Sequence, residues 1–269
     1  PHWRGVPGYD GSATAVTRDD GSFMVLGLPG RGLLAVKAME DRYLPSVGVE
    51  KVPAADKGRT NFEWIESHPL FVTAEYHAFA PVNPTEDGKD ATCDIALDPG
   101  RSIEGTILGP DDRPLSGVRM MDLKLMWTNP RPLPGAQFTA TALDPHNPRW
   151  LYFHHREKQL GAAVLVRGDE KDPQSVRLQP CGIVTGRILD KKGQGSPEWA
   201  VYGRSENQYM SLTTGRWWQL YVSGRTDKQG RFRIGLIPGV TYNITVGGQN
   251  HSLTLKPGET KDLGDVRTE

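Results

Sequence analysis

The most chemically suggestive stretch of the chain is "HHRE", His154 to Glu157. His154-x-x-Glu157 has the spacing of a zinc-ligand pair in a peptidase, and His251 is the obvious distant third ligand. Zinc needs three or four converging ligands. A peptidase also needs a general base and a large α/β body, and neither is visible in the sequence. The competing reading takes "RWLYFHHREKQLGAAVLV" as two strands joined by a polar turn. Neighbouring histidines on a strand point to opposite faces, so that reading is preferred. No metal, cofactor or catalytic residue is expected.

The aromatic residues are the second lead. Trp217 and Trp218 stand in "TTGRWWQLYV", close to Tyr209 and Tyr221. An exposed Trp with Tyr can stack on the apolar face of a sugar or pack on a partner protein. The competing reading places one Trp in a core and the other over an edge strand. These four residues are the candidate ligand-binding set.

Other motifs carry less. "RDDGS", "GPDDRP" and "EDGKDATCD" are acidic, but none has the D-x-[DN]-x-[DN]-G pattern of a calcium loop. They read as turns and solvated loops. "NIT" at Asn243 and "NHS" at Asn250 match glycosylation sequons, which occur often by chance. No nucleophile elbow, P-loop or dinucleotide fingerprint is present. Cys93 and Cys181 read as two free thiols; a disulfide between them would cross module boundaries.

The elements that position these residues are short strands. The chain of 269 residues holds 31 glycines and 21 prolines, which break helices and favour turns. Lys plus Arg and Asp plus Glu both number 32, a balance that argues against a basic footprint for nucleic acid or an anionic membrane surface. No apolar run approaches the ~18–20 residues of a membrane span. In "RFRIGLIPG", Phe232, Ile234 and Leu236 alternate with polar or small residues, and "TYNITV" repeats the pattern with Tyr242, Ile244 and Val246 inward. Residues 50–69 are the best place for a short helix.

The same sentence is written more than once. Thr17, Gly21, Phe23, Pro29 and Gly30 recur as Thr226, Gly230, Phe232, Pro238 and Gly239, at an offset of 209. "LDPGRSIEGTIL" from Leu97 recurs as "LQPCGIVTGRIL" from Leu178, at an offset of 81. The middle of the chain has an altered copy around Phe138 and Leu143. Self-similarity at such spacing marks repeated modules. Three are expected: 1–99, 100–180 and 181–269. The first lacks the G-x-I-L opening strand, so its beginning reads as lost or altered, and it carries an irregular insertion at about 40–69.

"GTILGPDDRPLSGV" (Gly105 to Val118), followed later by T-D-x-x-G-x-F and a Pro-Gly turn, resembles the carboxypeptidase regulatory-like domain. That family is similar to the transthyretin or prealbumin fold, a Greek-key β-sandwich. The resemblance covers most of the chain and is best from Cys181 to Val266. It implies an all-β tandem of sandwich modules and a non-enzymatic spacer or binding array within a longer bacterial protein. It also implies an extracytoplasmic place: periplasmic, cell-surface or secreted. The alternatives are a carbohydrate- or peptide-binding module using the aromatic residues, or an accessory segment of an enzyme whose catalytic domain lies elsewhere. The expected partner is a protein or carbohydrate surface, with no nucleic acid and no direct membrane insertion.

A related sandwich family forms a Lys–Asn isopeptide bond from a Lys in the opening strand. Ile103–Leu108 and Val184–Leu189 contain no Lys. The intact chain is therefore expected to have its full mass, and a mass short by one ammonia would contradict this.

Overall fold

The computed structural model describes residues 14–27, 29–30, 32–38, 42–44, 76–85, 91–122, 131–170, 174–206, 209–210, 217–218 and 221–268. Every regular element among them is a strand, as the turn-rich composition requires. Contacts divide the chain into two compact units, one holding Pro1–Pro99 and the other Gly100–Ser211 with Arg216–Glu269.

In the first unit, β1 (Gly32–Val36) and β2 (Ala78–Val82) pair antiparallel, from Gly32↔Val82 to Val36↔Ala78. Ala78 and Phe79 are buried. Buried His77 accepts the Ala38 N–H on Nδ1 at 3.0 Å. Most of the expected insertion, and the short helix considered at 50–69, lies outside the described residues.

The second unit contains two sandwiches. The first of them begins with β3 (Arg101–Leu108), β4 (Arg119–Asp122), β5 (Arg131–Pro132) and β6 (Gln137–Leu143). It continues with β7 (Arg149–His155), β8 (Leu160–Val166), β9 (Gln174–Arg177) and β10 (Gln179–Pro180). One sheet has the order β6-β3-β9 and the other β10-β8-β7-β4-β5. The opening strand β3 is central, antiparallel to β6 and parallel to β9. Ile103, Ile107, Phe138 and Val176 form one buried core with Met120, Leu151, Phe153 and Val166. Phe138 and Phe153 meet edge to face, with centroids 5.0 Å apart.

The second sandwich is built from β11 (Gly182–Leu189), β12 (Ala200–Ser205), β13 (Tyr209–Met210), β14 (Trp217–Trp218) and β15 (Tyr221–Arg225). It ends with β16 (Arg231–Leu236), β17 (Thr241–Val246), β18 (Gln249–Thr254) and β19 (Thr260–Arg267). The sheets are β16-β11-β19 and β15-β12-β17-β18. Again the opening strand, β11, is central and parallel to the last strand. Tyr242, Ile244 and Val246 are fully buried, as their period-2 pattern requires.

The repeated sentence is a set of mechanical tasks. Gly105 pairs with Phe138 and Gly186 with Phe232. In each pair the ring lies where a glycine Cβ would be, so both sandwiches need Gly opposite Phe. Thr226 is buried; its hydroxyl donates to the Ser196 carbonyl at 2.6 Å and accepts the Trp199 N–H at 2.8 Å. It ties the loop after β11 to the turn before β16. Gly230 holds φ at +78°, and a side chain there would run into the Ile188 carbonyl.

The first unit keeps the turn of this sentence but not its strand. Arg18 N–H donates to the Ser22 carbonyl at 2.8 Å and Gly21 N–H to the Arg18 carbonyl at 2.9 Å. At the 209 offset, Asp227 N–H donates to Arg231 at 2.8 Å and Gly230 N–H to Asp227 at 2.9 Å. The sequence predicts a Phe strand after each turn. Residues 22–27 form none. β6 and β16 are strands because each pairs with a central opening strand, and no counterpart of it exists among the described residues of the first unit.

Strand β7 is buried on both faces. Leu151 and Phe153 point into their own sandwich core, while Tyr152, between them, belongs to the core of the following sandwich. That core also holds Ile237, Val240, Tyr242 and Leu255. Met121, Tyr152 and Ala163 are cross-strand partners on β4, β7 and β8, so they form one row. Met121, Trp150 and Ala163 pack against the same cluster. Trp150 and Tyr152 stack at 6.4 Å. The short linker sequence suggests a restricted hinge; this shared core supplies the restraint within the second unit.

Arg149, at the start of β7, is buried and donates to the carbonyls of Thr141 and Ala142 at 2.7 and 3.0 Å. Ala142 has φ +52°, unusual for a residue other than glycine. The register of β3 against β6 shifts there. The guanidinium satisfies carbonyls that the irregularity turns away from the ladder.

Candidate functional site

The histidine pair divides across β7 as strand geometry dictates. His155 lies on the side of Leu151 and Phe153, is buried, and accepts the Lys158 N–H on Nδ1 at 3.3 Å. His154 lies on the side of Tyr152 and is half-buried. Glu157 is exposed in the turn after the strand. His251 sits on β18 opposite Ile244, with a buried Nε2. Among the described residues no three His, Cys, Asp or Glu side chains converge as a metal site would require.

Burial holds the His154 pKa below its ordinary value, and the neighbouring charges of His155 and Arg156 push in the same direction. A depressed histidine pKa means that the unfolded chain binds the proton more readily. Stability contributed by neutral His154 is therefore present above the ordinary pKa of about 6.5 and is lost as pH falls below it. The melting temperature is expected to drop between pH 7.5 and pH 5, and to drop less in His154→Gln. Equal acid slopes in the two proteins would contradict this role.

The aromatic candidates fall on a long hairpin. β12 and β15 form its base, from Ala200↔Arg225 to Arg204↔Tyr221. β13 and β14 extend it, pairing Tyr209 with Trp218 and Met210 with Trp217. Tyr209 lies five residues beyond Arg204, whereas Trp218 lies only three before Tyr221. The extension therefore carries two more residues on its outgoing strand than on its return. The backbone thus brings Tyr209 and Trp218 to one register position. The side chains of Tyr209, Trp217, Trp218 and Tyr221 lie outside what the structure describes.

The face that continues from this hairpin was not legible in the sequence. Tyr202 on β12 is 50% exposed. Its cross-strand partners are Ser223 on β15 and Thr245 on β17. Exposed Arg204 and Asn243 are the next cross-strand pair. Along β17 and β18, Thr245 donates to Asn250 at 2.7 Å, and the Thr241 and Thr254 hydroxyls meet at 2.7 Å. The result is a polar sheet face on which Tyr202 is the one aromatic ring among the described side chains. The period-2 pattern of "AVYGRS" places Tyr202 outward, but only the strand register brings its neighbours beside it.

Both cysteines are free thiols. Cys181 is buried, and desolvation pushes its pKa up to about 11. Tyr242 lies near it, with a phenol raised far above its ordinary value, chiefly by burial. The Ile237 backbone offsets part of that rise, although no hydrogen bond of good geometry closes on the Tyr242 hydroxyl. A thiolate is the reacting species, so Cys181 is expected to resist iodoacetamide at pH 8 until the chain unfolds, while half-exposed Cys93 is labelled in the native state. Peptide mapping by mass spectrometry reads both sites, and fast native labelling of Cys181 would contradict the burial.

A cleft lined by Ile103, Phe138, Leu151, Val164 and Val176 has a volume of about 90 Å³. Small-molecule pockets span roughly 300–1,000 Å³, so this cleft suits a few waters at most. Among the described residues no helix is long and apolar enough to cross a membrane.

Paired sheets, each with its own buried core, define the chain as an all-β protein of β-sandwich type. No protein-family model matches the chain, and no curated protein matches it. Among solved structures it is similar to a streptococcal ancillary pilin at 12% identity and TM-score 0.23, covering 68% of this chain and 69% of that one. It is similar to the shaft pilin SpaA from Lactobacillus rhamnosus GG at 11% identity and TM-score 0.25, covering 62% and 96%. It is also similar to a Bacteroides thetaiotaomicron protein described as a cell adhesion protein, at 15% identity and TM-score 0.22, covering 63% and 92%. The sandwich assignment rests on the strand pairing above and not on these low scores.

Proposed function

We propose that the chain is a non-enzymatic tandem of three sandwich modules, 1–99, 100–180 and 181–269, of the carboxypeptidase-regulatory-like, transthyretin-like type. It acts as a stiff spacer or binding segment of a larger extracytoplasmic protein. The observation that carries this reading is Tyr152, a residue of one sandwich that completes the core of the next. A spacer needs such coupling, because a flexible joint would not hold one module at a set distance from another. The recurring Gly–Phe pair supports the repeat as scaffold. The direct test assays the full chain against peptide, ester and glycoside substrates with and without zinc. No turnover is expected, and turnover lost in His154→Ala would overturn the reading.

A second reading, a glycan-binding module, is favoured by Tyr202. A half-exposed ring amid Arg, Asn, Thr and Ser offers a stacking platform with hydrogen-bonding neighbours. The Tyr209/Trp218 extension continues from the same pair of strands. Glycan-array binding that disappears in Tyr202→Ala, Trp217→Ala or Trp218→Ala would favour this reading over a pure spacer.

A further inference from the structure

Among the described residues, the edges of the four larger sheets are guarded against foreign strands everywhere except along β8. An edge strand presents unpaired N–H and C=O groups, and charge, proline, shortness or capping blocks pairing with another chain. β5 and β10 are two residues long and each contains a proline; β4, next to β5, ends on Asp122. β9 ends on Arg177 and β15 on Arg225. β16 carries Arg231 and Arg233, and β19 carries Lys261, Asp262, Asp265 and Arg267. β18 reads QNHSLT, polar at every position but Leu253. β6 has no charge of its own, but its carbonyls are occupied: Arg131 donates to Thr139 at 3.2 Å, and Arg149 to Thr141 and Ala142 at 2.7 and 3.0 Å.

β8 pairs with β7 along its full length, from Arg149↔Val166 to His155↔Leu160. On its other side β10 covers Leu160 and Gly161 alone. Residues 162–166, the run AAVLV, are thus an edge of about 17 Å with no charge, no proline and no described cap. Pro180, opposite Leu160, has no N–H to give, and the Cys181 N–H is bonded to the Gln159 carbonyl at 2.7 Å. Odd-numbered residues therefore bond outward, and by alternation the N–H and C=O of Ala163 and Leu165 face the open side. Leu165 is 42% exposed; no other leucine, isoleucine or valine described in residues 100–269 is a large exposed apolar residue. On the inward face, Val164 and Val166 line the cleft of about 90 Å³, which Phe138 and Val176 also line. Directly opposite residues of paired strands share a face, so a strand laid beside β8 would aim alternate side chains at this cleft.

We propose that residues 162–166 accept an extended segment of a partner protein as one more antiparallel strand of the sheet. The site states the chemistry of that segment. Opposite Val164 it carries a short branched aliphatic residue, because a cleft with room for a few waters has room for one such side chain. A basic residue precedes it: beyond Val166 stand Arg167, Asp169 and Glu170, two carboxylates against one guanidinium. The Glu170 carboxylate is fixed at the rim by the N–H groups of Arg167 and Gly168, at 2.6 and 2.7 Å. The segment ends or turns opposite Ala162, since Gln179 holds the next position. A second copy of the chain fits less well. Self-pairing centred on Val164 would set the copy's Arg167 opposite Gly161, where Gln179 already pairs. So short an edge also gives a dimer too little area, because stable interfaces bury at least about 1,200 Å². A loose segment needs less: main-chain hydrogen bonds hold it and the cleft selects it. This inference stands whether or not the spacer reading holds, since it concerns one sheet edge within residues 100–180.

The probe is the synthetic hexapeptide KVTVTV, which places a valine opposite Val166, Val164 and Ala162. It is added to the isotope-labelled full chain and followed by amide chemical shifts in nuclear magnetic resonance. Shifts are expected at residues 162–166 and 174–176, saturating near about 1 mM peptide, as befits a small contact. Leu165→Lys gives β8 the kind of charge that other edges carry. It is expected to weaken binding at least tenfold and to keep the melting temperature, because the side chain is half in solvent. A peptide with lysine in place of its central valine, KVTKTV, is expected to lose binding by a similar factor. Absence of shifts at residues 162–166 at millimolar peptide overturns the proposal. Slow hydrogen exchange at Ala163 and Leu165 in the free chain also overturns it, since the edge would already be covered. A dimer in sedimentation that Leu165→Lys dissolves would assign the edge to a second copy, and that too overturns it.

Discussion

Tyr152→Ala is expected to destabilise residues 100–269 by about 3–5 kcal/mol, the usual range for truncating a large buried aromatic. Tyr152 is 1% exposed and contributes to a core built mostly by the following sandwich. Removing it opens a cavity between two sheets from different sandwiches, where neither can collapse without moving the other. Trp150 also loses its stacking partner at 6.4 Å. The parent should unfold residues 100–269 in one cooperative urea transition, monitored by circular dichroism and tryptophan fluorescence. The variant should show an earlier transition, separated into two where the sandwiches no longer share a core. Tyr152→Phe keeps the ring and should retain most of the stability. An unchanged midpoint in the alanine variant would show that the contact does not couple the sandwiches, and the stiff-spacer reading would lose its main support.

Gly186→Val is expected to cost about 2–3 kcal/mol, at the upper end of the usual overpacking range. Backbone torsion is not the reason. A Cβ at Gly186 would stand 2.7 and 2.8 Å from two ring carbons of Phe232 and 3.1 Å from the Gly264 carbonyl. Phe232 is 4% exposed and belongs to the same buried cluster as Val184 and Tyr242, so the ring has little free space to enter. Strand propensity alone predicts the opposite sign, because valine favours strands over glycine. The decisive measurement is a double-mutant cycle with Phe232→Ala. Combined, the two substitutions should cost less than the sum of the singles, since the alanine vacates the space that the valine needs. Additive costs would separate the glycine from the ring. Gly105→Val with Phe138→Ala should behave alike, because the first sandwich of this unit uses the same pair.

Several features were legible along the chain because they depend on neighbours in sequence. Phe232, Ile234, Tyr242 and Ile244 could be assigned inward from alternation alone, and all are buried. The separation of His154 from His155 followed from strand geometry in the same way. The turn at Gly230 was visible because positive φ selects glycine. The recurrence at offset 209 located the equivalent turn at Gly21, with matching hydrogen bonds. The Phe23 strand was expected by the same logic and is missing, because a strand exists only when a partner accepts its backbone, and no stretch of sequence contains its own partner.

The aromatic lead shows the same boundary. Trp217, Trp218, Tyr209 and Tyr221 were recognised by type and proximity, yet which of them share a register position depends on the two-residue irregularity between the base and the extension of the hairpin. Tyr202 went unnoticed because one tyrosine in "AVYGRS" is unremarkable until β15 and β17 bring Ser223 and Thr245 beside it. The near-continuous apolar run "RWLYF" announces a strand covered on both sides. It does not say that the second cover is another sandwich. Alternation, turn residues and repeats are local, so the sequence alone determined strands, turns and the kind of fold. Which strand lies between which and what covers Tyr152 depend on contacts between distant residues, and those only the tertiary structure decided.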